Sequence, residues 1–544
     1  MKSLFLTLFF LSFISRFGFG QSSPLDTGIT IDISNIPLNQ DNAVVAISRV
    51  NANNIVIGAS SDYDDMDANG MPVYLSTNKG VSWSSSRLPL PLNTDYYVWG
   101  EPSVTSDDAG NYYYAYILND GSDPADSAGV INIAVSSNGG SNWQNATPLN
   151  IAIPNYSAPD GASITVDNSS LSPHHGRVYV VWDQFFANPD SEKTNGGVYI
   201  AWSDNKGASW KGMNFIGTSD DYQQVRTGKN GEIYVTLSDS TGNGHEFFLS
   251  VDGGSTFTAQ LTKRFESYPT YVIDTEFTLL KGISGIAAFP YVAFDVDLTS
   301  NRIHLVYGDY QADIATLYYV FSDNNGTDWS AAEGIQELSS SDRFDPWVSV
   351  DQKTHESYVT FYSSDSDPAN NQVAPYRIRV RDTAQQMMSP AFNPFSVEKT
   401  DSTSPYIGDH TSSDTFDSLY VGVWTQNRPG YSDGDVFAFI SSQNPSKQAV
   451  EPIVIHSPGA WMSAPYPNPS QGNSVALRYY IPHATELRFD LFDVGGVFIK
   501  HLLEKSLEEG SYSDELDIRN IPPGTYIIRM MTDSGELSRK LILK

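Results

Sequence analysis

The 544-residue chain has no cysteine, which excludes a disulfide framework, thiolate metal sites and cysteine nucleophiles. Its stability therefore rests on its core, with a metal ion as the only other available staple. Basic residues are scarce. Against 63 Asp and Glu there are 32 Lys and Arg, a formal net charge of −31 that is spread through the loops and not gathered in one tail. Such a polyanion is a poor partner for nucleic acid or an anionic membrane surface. Long apolar runs are missing too: the run from Leu4 to Ile14 is shorter than the roughly 20 residues a membrane-spanning helix needs. With Lys2 before it and Gly18-Phe19-Gly20 after it, residues 1–20 read as a secretory signal peptide, and no stretch reads as a transmembrane anchor. No Gly-x-Ser-x-Gly elbow occurs, and His174, His175, His304 and His410 have no metal-triad spacing.

What the chain has in abundance is aromatic residues and short turns. A run of the form Ser-x-Asp/Asn-x-Gly-x-x-Trp/Phe occurs at Ser76–Trp83, Ser136–Trp143, Ser203–Trp210, Ser250–Phe257 and Ser322–Trp329. The Asp or Asn oxygen accepts turn N–H groups, Gly takes the positive-φ position, and the aromatic ring buries the hairpin against a neighbour. Repetition at intervals of tens of residues marks a repeat architecture of supersecondary units. The motif resembles the Asp-box, or BNR, repeat of sialidase-type β-propellers. That resemblance implies a box between the third and fourth strands of a blade, on the face opposite the active site.

Alternating apolar strands broken by Asp/Asn/Gly clusters divide the chain into units beginning near Ala43, Pro102, Ala162, Tyr222, Pro290, Pro346 and Tyr406. Two units lack the box: in one its place reads Ile378-Arg-Val380, in the other Val436-Phe-Ala-Phe439. The expected fold is all-β, a propeller of seven blades, or alternatively six, over residues 21–440, with Ile29-Thr-Ile31-Asp-Ile33 as an outer strand closing the last blade. Residues 441–460 lose the strand pattern and read as a linker. Residues 461–544 then alternate again between Gly turns, which predicts a small β-sandwich. Tyr466-Pro-Asn468-Pro, Asp493-Val-Gly495-Gly, Pro523-Gly-Thr-Tyr526 and the basic last strand are together similar to the type A sorting domain of the type IX secretion system. The resemblance implies a Bacteroidota protein that passes the outer membrane with help from that machinery and acts in the medium or on the cell surface.

Propeller topology predicts the functional loops at the lead-in to each innermost strand and between the second and third strands. The innermost lead-ins carry Glu101, Asp160 and Asp345, carboxylates expected to ring the channel mouth, with Tyr96, Tyr97, Trp99, Trp347 and Tyr406 as stacking surface for a glycan or protein. In an exo-acting sialidase-type glycoside hydrolase, the alternative function, resemblance implies three arginines around a substrate carboxylate. Arg226, Arg343 and Arg428 are the candidates, although the family's Arg-Ile-Pro signature is replaced here by Asn35-Ile36-Pro37. The spacing Asp65-x-Asp67-x-Asn69-Gly70 matches the start of a calcium loop, without its distal Glu. Calcium is thus the one cofactor expected, and none is required.

Overall fold

The structure is a computed structural model that describes the strands and turns between Gly28 and Lys544. Residues 1–27 and stretches within the connections, the longest being 280–291, 388–407 and 443–460, lie outside the described residues. The described chain is all-β, and before residue 443 seven of its antiparallel sheets have a main path of four strands each, beside a two-stranded pair of Tyr271–Val272 with Thr278–Leu279. Their first strands are Gln40–Ile47, Tyr96–Ser106, Ser157–Val166, Gln224–Thr227, Ala293–Asp297, Arg343–Val350 and Ser412–Phe416. Each sheet is an up-and-down meander, as short alternating runs joined by tight turns require. The seventh is completed from far away: Gly28–Asp32 pairs antiparallel with Gly434–Ser442, so that Ile29 lies opposite Ile440 and Ile31 opposite Ala438. This is why the seventh unit has no box. Its fourth strand comes from residues 28–32 and not from a hairpin partner next in sequence, so no box turn is needed there.

The five boxes close the third strands of sheets one to five with one geometry. The Ser Oγ accepts the Gly N–H at 2.8 Å in Ser76/Gly80 and Ser203/Gly207, 2.9 Å in Ser136/Gly140, and 3.0 Å in Ser250/Gly254 and Ser322/Gly326. The Asn or Asp Oδ1 accepts the N–H four residues on, at 2.9 Å in all five turns. Every box Gly has φ between 81° and 93°. The aromatic residues reach backwards: Trp83, Trp143, Trp210, Phe257 and Trp329 each pack against the apolar cluster shared with the preceding sheet. A Cβ on Gly140 would lie 2.8 Å from Val56 Cγ2 and 3.1 Å from Leu75 Cδ1, at φ +91°. Gly140→Ala should therefore cost about 1–3 kcal/mol, read as a lower urea midpoint at unchanged slope.

These clusters run in a circuit. They join sheet seven to one, one to two, two to three, three to four and four to five, and a larger one spans sheets five, six and seven. The first strands are neighbours in the same cyclic order, with Gln40–Ile47 meeting both Tyr96–Ser106 and Ser412–Phe416. After residue 460, two further sheets share a separate apolar cluster. One holds Trp461–Met462, Ser474–Ile481 and Gly510–Asp517; the other holds Thr485–Asp493, Phe498–Leu507, Gly524–Thr532 and Gly535–Leu543.

Candidate functional site

All seven first strands border a common cavity of about 640 Å³. It lies where those strands end and turn into the second strands, the same end that carries the boxes, because strand direction alternates through each sheet. Polar residues on the first strands point at the next sheet and stitch the wall. Ser103 Oγ accepts Ile164 N–H at 3.1 Å, Ser163 Oγ accepts Val225 N–H at 3.3 Å, and Gln224 Oε1 accepts Phe294 N–H at 3.3 Å. Asp295 Oδ2 accepts Val350 N–H at 2.8 Å and Asp414 Oδ2 accepts Ile47 N–H at 2.6 Å. The two remaining joints use Ser349 with Ser413, Oγ to Oγ at 3.1 Å, and Ser106, whose hydroxyl donates to Ile47 O at 2.7 Å. Every intersheet joint around the channel therefore carries a side-chain hydrogen bond, in a chain that cannot use disulfides.

Two arginines face the cavity beside these carboxylates. Arg49 pairs with Asp414 at 2.8 Å and also donates to Thr415 O at 3.2 Å. Burial alone would lower the Arg49 guanidinium, but the charge and hydrogen bond of Asp414 outweigh it and hold it above its ordinary value. Arg226 stands 3.6 Å from Asp295, lies over the rings of Trp347 at 5.5 Å and Phe294 at 5.9 Å, and donates from Nη1 to Val225 O at 2.8 Å. Here burial wins: it pushes Arg226 down and the Asp295 carboxyl up, the looser ion pair offsetting it only in part. A carboxyl raised in the fold adds most to stability below the ordinary value of roughly 4, and that contribution is lost as pH rises through the folded value. The melting temperature of the wild type minus that of Asp295→Asn should accordingly fall as pH is raised from about 3 to 7. A difference that grew with pH would mean that Arg226 controls the carboxylate.

The residues singled out from sequence separate into groups. Trp347 joins Arg226 in the cavity and not an upper stacking surface. The extra residue of a bulge between Phe344 and Trp347, with Asp345 at φ 49°, carries it past the lead-in. Glu101 at φ 54° and Gly161 at φ 55° occupy equivalent bulges, which places Glu101, Asp160 and Asp345 within one residue of a common level of the first strands. Glu101 Oε1 accepts Asn42 Nδ2–H at 3.2 Å, Asp160 Oδ1 accepts Gly161 N–H at 2.9 Å, and Asp345 is fully buried. Tyr97 and Trp99 meet edge to face at 6.3 Å on the upper part of their strand. The Tyr96 side chain, Tyr406 and Arg428 lie outside the described residues.

Arg343 does not join Arg226. It is 1% exposed, and its Nη2 donates to both oxygens of Asp365 at 2.6 and 2.9 Å, a tie within its own sheet. The calcium spacing also meets a different geometry. Asp65, Met66 and Asn69 sit in a helical turn closed by Gly70 N–H to Met66 O at 2.7 Å. Asp65 is engaged by Arg87 at 2.7 Å and by Asn69 Nδ2–H at 2.9 Å, which supplies the neutralising charge from the protein; Asp67 lies outside the described residues. Among the described residues no three His, Asp or Glu side chains gather as metal ligands. Arg49, Ser103, Ser163, Asp295 and Asp414 escaped the sequence reading, although a polar residue recurring within otherwise apolar first strands was their available signal.

Residues 464–544 match the family described as a secretion system C-terminal sorting domain. No curated protein matches the chain in sequence. Among solved structures, the chain is similar to a protein of unknown function from Dyadobacter fermentans at 11% identity and TM-score 0.41, over 77% of this chain and 100% of that one. It is similar to a Hadza microbial sialidase at 12% identity and TM-score 0.39, over 74% of this chain and 66% of that one. A sialidase of Trypanosoma rangeli, in complex with sialic acid, is similar at 10% identity and TM-score 0.38, over 95% and 88%.

Proposed function

We propose that residues 21–440 form a seven-bladed, Asp-box β-propeller of sialidase-like kind, that residues 461–544 form the β-sandwich that addresses it to type IX secretion, and that the propeller binds an extracellular glycan or protein without hydrolysing it. The cyclic order of apolar clusters and first strands supports the propeller, and the five matching turns support the Asp-box assignment. The sorting-domain match supports export, through a signal peptide and then the outer membrane of a Bacteroidota cell, to the surface or the medium. The observation that carries binding over hydrolysis is Arg343. A sialidase-type site needs several guanidinium groups free to clamp one substrate carboxylate, whereas Arg343 is buried and already neutralised by Asp365.

The test uses the mature chain with its sorting domain. It should show no turnover of an aryl sialoside, and it should be retained on a matrix of polysaccharide or surface protein from its surroundings. Trp99→Ala should weaken that retention about tenfold, because one partly exposed aromatic anchor commonly carries about 1–2 kcal/mol of such contacts; since Trp99 also packs on the cluster between the second and third sheets, an unchanged urea midpoint is the control. Turnover that Arg343→Lys abolishes would overturn the binding reading in favour of a sialidase-type hydrolase.

A further inference from the structure

The cavity at the box end of the channel has a lining unlike the chain around it. Acids outnumber bases about two to one overall, yet this cavity is bordered by Arg49, Arg226, Lys229 and Lys353 against Asp108, Asp295 and Asp414. The acids are spoken for. Asp414 takes Arg49 and the N–H groups of Ile47 and Thr415; Asp295 takes the N–H groups of Val296 and Val350; Asp108 takes His175 at 2.8 Å. Asp295 and Asp414 thus hold the wall together and leave little acceptor capacity for a cation, while Asp108 is half-exposed.

The donors are in the opposite condition. Ser103 and Ser163 use their oxygens to accept the next sheet's N–H, so each hydroxyl proton remains to be donated elsewhere. Their sheets directly precede that of Arg226, so the three form one arc of the wall. Of the five guanidinium N–H groups of Arg226, Nη1 serves Val225 O, and Asp295 at 3.6 Å is beyond hydrogen-bonding distance of Nε. The aromatic faces of Trp347 and Phe294 fix the plane of the guanidinium without consuming its donors. An arginine so placed, buried beyond what its counter-ion offsets, gains from a second anion.

We infer that this end of the channel is a binding site for an oxyanion group, a carboxylate, sulfate or phosphate, held by Arg226 with the hydroxyls of Ser103 and Ser163, with Trp347 against the rest of the ligand. The site lies at the opposite end of the channel from the loops where the sequence placed chemistry, and its occupancy does not depend on what those loops bind. A free inorganic anion and an anionic group on a sugar share this chemistry.

Titration of the mature full-length chain with sodium sulfate, sodium phosphate and sodium glucuronate, at constant ionic strength and followed by calorimetry and tryptophan fluorescence, tests it. Saturable binding of at least one probe is expected, weakened tenfold or more by Arg226→Met, less by Arg226→Lys, and unchanged in the surface control Arg302→Gln. The fluorescence change should disappear in Trp347→Phe. Tighter binding of glucuronate than of sulfate and phosphate would identify a sugar-borne carboxylate; the reverse order would identify an inorganic anion or an ester. No saturable binding of any probe, or equal affinity in folded Arg226→Met, would overturn the proposal. Should Arg226→Met fail to fold, unchanged affinity in the double variant Ser103→Ala, Ser163→Ala would overturn it instead.

Discussion

Asp414→Ala should destabilise the first 442 residues by about 2–4 kcal/mol, the cost of orphaning a buried N–H group and a partly buried guanidinium. Three bonds depend on this carboxylate. Oδ2 accepts Ile47 N–H at 2.6 Å, and Oδ1 takes Thr415 N–H and Arg49 Nη2–H, each at 2.8 Å. The partners lie on opposite sides of the seam where the seventh sheet meets the first, 367 residues apart for Ile47. Without Asp414, Ile47 N–H is left buried and unpaired, and Arg49, 21% exposed at its side chain, loses the counter-ion that outweighs its burial. Urea unfolding of the purified chain, followed by tryptophan fluorescence, measures the loss. Asp414→Asn, which keeps an acceptor but not the charge, should lose less. The double variant Arg49→Met, Asp414→Ala should recover part of the Asp414→Ala loss, because it no longer buries a lone cation. If Asp414→Ala cost less than about 1 kcal/mol, the seam would be held by its apolar cluster alone.

The contrast between this seam and the boxes shows what a single sequence reveals. Box turns are local. Ser, Asn or Asp, Gly and the aromatic ring meet within eight residues, so spacing alone exposes their hydrogen bonds, and the alternation of Ile29, Ile31 and Ile33 is enough to mark an outer strand. Arg49 and Asp414 share no such spacing; only closure of the circuit brings them together. The level of Trp347 is hidden in the sequence for a different reason. A bulge inserts one residue, Asp345 at φ 49°, and period-two counting across Phe344 and Trp347 then assigns the wrong level of the channel. Arg343 reads as a ligand clamp in sequence because Asp365, which holds it, lies on the far side of a hairpin. Carboxylates beside Pro and Gly look alike in sequence whether they ring a mouth or cap a bulge, as Glu101 and Asp345 do.

Deleting the residues after Trp461 should abolish delivery to the cell surface and medium while leaving the seven-sheet unit folded, with the truncated chain accumulating in the periplasm. Two structural facts separate the outcomes. The circuit of apolar clusters through the seven sheets is complete by Ile440, with Gly28–Asp32 supplying the last strand, whereas the cluster from Met462 to Leu543 draws on none of those sheets. A domain with its own closed core keeps its stability when a separately cored neighbour is removed, so the urea midpoint of the first unit should move by less than the ~0.5 kcal/mol typical of remote changes. Address is expected to be lost because residues 464–544 carry the sorting-domain match, and that function does not transfer to the preceding sheets. Fractionation of cells producing both forms, with the fractions probed for the first 442 residues, gives the readout. Loss from every fraction together with a lowered midpoint would show that the last two sheets support folding. Undiminished surface or medium delivery of the truncated, folded chain would remove the sorting role from residues 464–544 and place the address within the first 442 residues.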